Sequence, residues 1–274
     1  MIYLVLAVLS SALVAITMRI GKKFCHNNLS MLAVNYIFCT VFAALNTGAA
    51  NFRIEKSSIG LGIIQGILYL TGFILYQYNI QKNGVVLSAT FMKLGVLVPT
   101  LASIFLFKEQ PTALQILGVG LSIFAIVFIN YEKGTQRFHL KKALIILLIV
   151  GGMTDIMAKV YEQYGDPMRK EQFIFYTFLV AMILCIALAG YKKEKITKND
   201  ILCGIVIGIP NYFSAIFLLR AVHYVLATIA YSTYSVATIA CTTIAGVLFF
   251  KEKLSKRQML GLMVILTALV CLNF

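Results

Sequence analysis

The sequence predicts an all-α integral membrane protein with ten transmembrane helices, arranged as two inverted repeats of five. Three observations predict it. Of the 274 residues, 60% are hydrophobic and only 12% are charged, whereas a soluble domain is about half apolar and about a quarter charged. The apolar residues fall in ten continuous runs, each close to the roughly 20 residues that carry a helix across about 30 Å of hydrocarbon. Finally, the end of the first half of the chain matches the end of the second at a constant offset.

The runs cover 2–21, 29–49, 58–80, 84–106, 112–130, 141–161, 171–191, 201–222, 225–250 and 256–273. The first starts at Ile2 with no basic residue before it and no small-residue cleavage pattern, and a second apolar run follows at once. It reads as a span and not as a removed signal peptide. The runs are apolar on consecutive positions, as in Leu144-Ile145-Ile146-Leu147-Leu148. A barrel strand would show about ten residues of alternating polarity instead, so helices are the elements that satisfy their own backbone in lipid. The longest break, Tyr131 to Leu140, leaves no room for a soluble domain. Cys25, Cys39, Cys185, Cys203, Cys241 and Cys271 stand singly, without a CxxC pair, and read as small packing hydrophobes. His26, His139 and His223 are far apart near loops. No phosphate-binding loop, HExxH or nucleophile elbow is found. An enzyme and a nucleotide-driven pump are therefore not expected, and neither is a metal or cofactor.

A shift of 143 residues superposes 89–130 on 232–273 without a gap, with 12 of 42 positions identical. Phe107-Lys108-Glu109 falls on Phe250-Lys251-Glu252, Gln115 on Gln258, Leu117-Gly118 on Leu260-Gly261, and Asn130 on Asn273. The repeats are thus 1–140 and 141–274, with five spans each. An odd number of spans turns the second repeat upside down in the bilayer. Such inverted repeats place a site at their interface near the midplane.

The stretches Leu106 to Gly118 and Phe249 to Gly261 resemble those of EamA-type members of the drug/metabolite transporter superfamily. Pro99, ten residues before Glu109, fits the family's pattern, while Thr242 stands at the matching point of the second repeat. Span count and repeat extend the resemblance over the whole chain. It implies a ten-helix basket around a central cavity lined mainly by helices 1, 3, 4, 6, 8 and 9. It also implies transport of a small metabolite, with efflux favoured, and no particular substrate.

The net charge of +14 describes a membrane face, not a nucleic-acid surface. Sixteen of the 24 basic residues lie on the face opposite the N-terminus, among them Lys133, Arg137, Lys141, Lys142, Lys192, Lys193 and Lys195. Arg53, Lys56, Lys108, Arg169, Lys170 and Arg220 lie on the N-terminal face, and Lys93 and Lys159 lie inside spans. Basic loops stay cytoplasmic, so both termini are expected outward in a prokaryotic plasma membrane. The resemblance implies the reverse, and the charge count is preferred.

Polar residues within spans are costly and normally face a cavity or a partner. Lys93, near the middle of the fourth segment, is the most exceptional. Asp155 and Lys159 are one turn apart and share a helix face, with Gly151 and Gly152 just before them. The ninth segment carries a polar stripe of Thr228, Tyr231, Ser235, Thr238 and Thr242, with Tyr234 on its flank. The third carries Gln65, Tyr69, Gly72 and Tyr76, the eighth Asn211 and Tyr212, and the second Asn35. Pro99 and Pro210 are expected to free the carbonyls of Gly95 and Val206. Glu109 and Glu252, beside lysines at helix ends, read as residues of loop geometry.

The reading that joins these features is a secondary carrier working by alternating access. A small zwitterion such as an amino acid suits Lys93 together with Asp155. Tyr69, Gln65, Asn211, Tyr212, Tyr231, Tyr234 and Ser235 would surround it. Asp155, Lys159 and Asn35 would couple or gate, with a proton or an ion as coupling partner. One alternative is a cationic amine such as choline, held in a tyrosine cage. The other is a lipid-handling protein or scramblase with a groove open to the bilayer. Substrate and lipid are the expected partners, nucleic acid is not, and the pattern suits a monomer or a homodimer.

Overall fold

The computed structural model describes residues 1–21, 24, 28–47, 55–83, 88, 91–92, 94–130, 141–193, 196–250 and 256–273. The helices are α1 (Ile2–Gly21), α2 (Asn28–Thr47), α3 (Lys56–Asn83), α4 (Leu97–Phe105), α5 (Ala113–Asn130), α6 (Lys141–Tyr164), α7 (Lys170–Tyr191), α8 (Lys198–Tyr224), α9 (Ala227–Phe250) and α10 (Lys256–Asn273), with a 3-10 turn at Pro167–Arg169. Among the described residues, α2, α3, α6, α7, α8 and α9 supply six spans long and apolar enough to cross a membrane. Three shorter apolar helices, Ile2–Met18, Ala113–Phe128 and Met259–Leu272, lie in α1, α5 and α10.

Helix starts follow from side chains that take up the first free N–H groups. Thr197 and Asp200 form a reciprocal capping box at α8: the Asp200 carboxylate accepts from Thr197 N–H at 3.0 Å, and Asp200 N–H donates to Thr197 Oγ1 at 3.2 Å. Thr112 and Gln115 do the same for α5. At α3, Glu55 accepts from Ser57 N–H at 2.9 Å and Ser58 N–H at 2.6 Å. Burial opposes ionisation of Glu55, yet the hydrogen bonds from Ser58 and Ser57 bring its pKa down to about 2 from an ordinary 4.5.

The chain forms two compact units, Met1–Leu70 with Met157–His223, and Thr71–Ile156 with Tyr224–Phe274. In the first unit α2 packs along α7, and Cys185 Sγ lies 3.6 Å from the Leu29 carbonyl. Helix α8 closes on α2 at Gly208, where a Cβ would lie only 3.2 Å from the Asn35 carbonyl oxygen. Where α3 starts and α6 ends, buried Tyr161 stacks on Phe173 at 4.3 Å. Its hydroxyl joins Ser58 Oγ at 2.8 Å and donates to the Asp166 carbonyl at 2.9 Å.

In the second unit α5 packs along α10, and α4 against α9. In these pairs, as in α2 with α7, one helix lies in 1–140 and its mate five helices later. The fourth segment is helical at Phe91, Met92 and Leu94 but turns at Gly95–Val96 before α4 begins. Gly95 sits against Gly152 of α6, with space between its Cβ direction and the Gly152 nitrogen of just 3.0 Å. The expected free carbonyl of Gly95 is not free: it accepts from Val98 N–H at 2.9 Å. Pro99 therefore sits in the first turn of a restarted helix, where its missing N–H costs little.

Candidate functional site

Within the first unit, the approach of α8 to α2 at Gly208 brings Asn35 and Asn211 together. Asn211 Nδ2 donates to Asn35 Oδ1 at 3.2 Å. Cys39, one turn after Asn35, lies with its sulfur 3.3 Å from the Gly208 carbonyl and 3.9 Å from Asn211 Nδ2. Asn35 is 1% exposed, and its Nδ2 meets no acceptor among the described residues. A buried donor left unmet costs about 1–3 kcal/mol, so it needs a reason to persist.

Tyr36 and Tyr212, the chain neighbours of this amide pair, belong to a cluster of rings. Tyr212 meets Phe42 edge-on at 5.1 Å, Phe178 lies 6.4 Å from Tyr212, and Tyr36 lies nearly parallel to Tyr69 at 6.3 Å. Gln65, one turn before Tyr69 on α3, is buried. These residues come together because Asn35, Cys39 and Phe42 follow at steps of four and three, one face of α2.

Toward the ends of α6, α7 and α8 the same unit carries ion pairs. Lys159 Nζ bonds Glu162 at 2.8 Å, and His223 Nδ1 lies 3.5 Å from the other Glu162 oxygen. Arg220 pairs with Glu171 at 3.0 Å and stands over the Tyr3 ring at 5.9 Å. Asp155, the helical neighbour expected to face Lys159, belongs to the second unit, because the division passes through α6 after Ile156.

Tyr231, Tyr234 and Ser235 also belong to the second unit. The polar stripe of α9 is buried at Thr228, Tyr231, Ser235 and Thr238, as a stripe shunned by lipid should be. Lys93 lies outside the described residues, as does Glu252. Glu109 has a structural task. Lys108 takes a left-handed φ of 54°, and the turn carries the Glu109 carboxylate onto the start of α9. There it accepts from Ala227 N–H at 2.9 Å and from the Thr228 N–H and hydroxyl at 3.0 Å each.

The pattern that defines the EamA-like transporter family matches residues 1–131 and again 139–274. The chain belongs to the EamA-like transporter family. It is accordingly a multi-pass membrane transporter of small molecules, built on that family's ten-helix fold. An uncharacterized protein of Haemophilus influenzae is similar, at 28% identity over 99% of this chain and 97% of the relative. A solved crystal structure of a protein with 11% identity superposes with a TM-score of 0.80, covering 99% of this chain and 96% of the other. At that identity the likeness concerns the fold alone.

The stretch repeated between the two halves of the chain has a physical meaning in the first EamA-like match. Lys108 turns the chain, Glu109 caps α9 and Gln115 closes the capping box of α5. Gly118 lets α5 approach α10, where a Cβ would stand 3.1 Å from the Ala268 carbonyl. Conversely, Tyr36, Phe42 and Phe178 join the ring cluster of Tyr69 and Tyr212 without being singled out by the sequence. Phe42 was within reach of the α2 face pattern, seven residues after Asn35. The partnership of Glu171 with Arg220 spans 49 positions and leaves no local trace.

Proposed function

We propose that this transporter is a secondary-active carrier that exports a small zwitterion, such as an amino acid, by alternating access between inverted repeats 1–140 and 141–274. The observation that carries the reading is the Asn35–Asn211 pair. A membrane-buried amide donor that meets no acceptor among the described residues suits a carboxylate that comes and goes. In this reading Lys93 supplies the fixed positive charge, while Tyr69, Gln65, Tyr212, Tyr231, Tyr234 and Ser235 shape and orient the solute. Asp155 and Lys159 serve coupling, with Glu162 as the partner that Lys159 holds between cycles. The pairing of α2 with α7, α4 with α9 and α5 with α10 supports the repeat assignment.

The aromatic cluster favours a second reading, a cationic amine such as choline. It ranks lower for two reasons. The rings turn toward one another, leaving few faces for a cation, and Lys93 repels it.

Counterflow in proteoliposomes tests the proposal. Asn35→Leu and Lys93→Ala should each weaken amino-acid transport by about tenfold or more, the scale of one lost charge-assisted hydrogen bond. Wild-type flux and affinity in Lys93→Ala and Tyr231→Ala would remove the site assignment. We further propose a cell-membrane location with the termini outward. A Lys195→Cys variant labelled from outside intact cells by an impermeant thiol reagent would reverse that orientation.

A further inference from the structure

A pocket of about 160 Å³ lies in the first unit where α2 ends and α7 begins, lined by Asn46, Thr47, Met168, Arg169, Glu171 and Gln172. Five of these six side chains are polar or charged. Thr47 and Gln172 are buried at 3% and 1% exposure, whereas Met168, at 88%, stands at the rim. The volume equals about five liquid waters and falls below the roughly 300 Å³ at which drug-sized sites begin. Only a small solute fits.

The chemistry of the walls is two-signed. Arg169, from the 3-10 turn, presents a planar fork of five donors. Its Nε is ion-paired with Asp166 at 3.7 Å, and a five-donor fork can serve more than one acceptor. Glu171, in the first turn of α7, has one carboxylate oxygen engaged by Arg220 at 3.0 Å, and a carboxylate offers about four acceptor sites. Asn46 donates its amide to the Phe42 carbonyl at 2.8 Å, and Thr47 its hydroxyl to Ala43 at 2.9 Å. Both side chains are thereby held with acceptor oxygens to spare. A lone anion would match Arg169 and face Glu171, and a lone cation would do the opposite. A solute bearing both charges satisfies both walls.

We propose that this pocket is a mouth subsite for a small zwitterion of the α-amino-acid type, its carboxylate on Arg169 and its ammonium on Glu171, Asn46 and Thr47. The inference rests on the zwitterion reading of the transport site and adds a second, separate station. By chain order the subsite lies on the face that bears the N-terminus. It shares no residue with the set assigned above to transport, so the two can be tested apart.

The test uses the full chain with Met168→Cys, reconstituted in nanodiscs and labelled by an impermeant thiol reagent. The chain without that substitution serves as background. Glycine is the probe, with acetate and ethylamine as single-charge controls. Glycine should slow labelling several-fold while acetate and ethylamine do not. Adding Arg169→Gln should raise the glycine concentration for half-protection about tenfold, and Arg169→Lys should restore part of it. Protection that survives Arg169→Gln unchanged overturns the subsite, as does equal protection by acetate alone. Amino-acid transport that needs Lys93, without any glycine protection at position 168, overturns the subsite and leaves the transport reading standing. Absence of both transport and protection overturns the two together. Protein that fails to fold is recognised by its elution profile, and Asn46→Leu then provides the second variant, expected to weaken protection in the same sense.

Discussion

Replacing Glu109 with Ala removes the carboxylate that accepts from Ala227 N–H, Thr228 N–H and the Thr228 hydroxyl at 2.9–3.0 Å. Losing an N-terminal capping side chain costs about 0.5–2 kcal/mol. Losing a negative charge at a helix N-terminus costs about 0.3–1 kcal/mol more. Glu109 is half-buried, so solvent replaces its bonds only in part, and the expected total is about 1–3 kcal/mol. Glu109→Gln keeps a carbonyl acceptor without the charge and should lose about half as much. The measurement is reversible unfolding of the purified protein in mixed micelles, titrated with an anionic detergent. In a Thr228→Ala background, which deletes one of the three donors, Glu109→Ala should cost less than in wild type, a coupling of about 0.5–1 kcal/mol. A loss of only a few tenths of a kcal/mol in Glu109→Ala, or no coupling to Thr228, would show that the repeated glutamate does not hold α9.

Three further outcomes are expected. Because the folded pKa of Glu55 is about 2 against an ordinary 4.5, its stabilisation is complete above 4.5 and is lost as pH falls toward 2; the acid limb of a Tm–pH curve should be shallower in Glu55→Gln. Tyr161→Phe keeps the stack on Phe173 and loses the hydroxyl that joins Ser58 and Asp166, a cost of about 1–2 kcal/mol, whereas Tyr161→Ala should cost about 3–5 kcal/mol; equal losses in a chemical unfolding series would refute that division. Gly152→Ala should destabilise through collision with Gly95 and Val98, while Gly120→Ala, which meets nothing within 4 Å, should be neutral or stabilising by up to about 1 kcal/mol; thermal melts of the two side by side decide it.

Helix positions were legible because lipid imposes a length and a polarity that the chain must satisfy locally. Thus the described helix α1 coincides with the apolar run from Ile2, and α10 with the run 256–273. Capping boxes such as Thr112–Gln115 are equally local, but only the structure brought them out. The repeat was legible for a different reason: Lys108, Glu109, Gln115 and Gly118 perform tasks of backbone geometry, and such tasks tolerate few residue types. Polar faces were legible where a single helix carried them, as with Tyr231 and Ser235 on α9 or Gln65 and Tyr69 on α3. Which faces meet is a matter of packing between helices distant in sequence. Asn35 with Asn211, 176 positions apart, and the ring cluster beside them are of that kind. The carbonyl of Gly95 shows the same limit on a smaller scale. Pro99 removes a donor, but the turn at Gly95–Val96 supplies Val98 N–H in its place.

That turn also has an electrical side. A helix that turns and restarts part-way along a span has an N-terminal end there, and the peptide dipoles of such an end favour negative charge. The N-cap residue of α4 is Val96, whose side chain accepts no hydrogen bond from the first turn. In sequence it follows Lys93 by three residues. The fourth segment therefore brings positive potential from its backbone as well as from its one lysine. A Lys93→Met carrier should retain a weakened preference for anionic groups instead of losing it outright, and a carboxylate reaching this level would be drawn by the peptide chain itself.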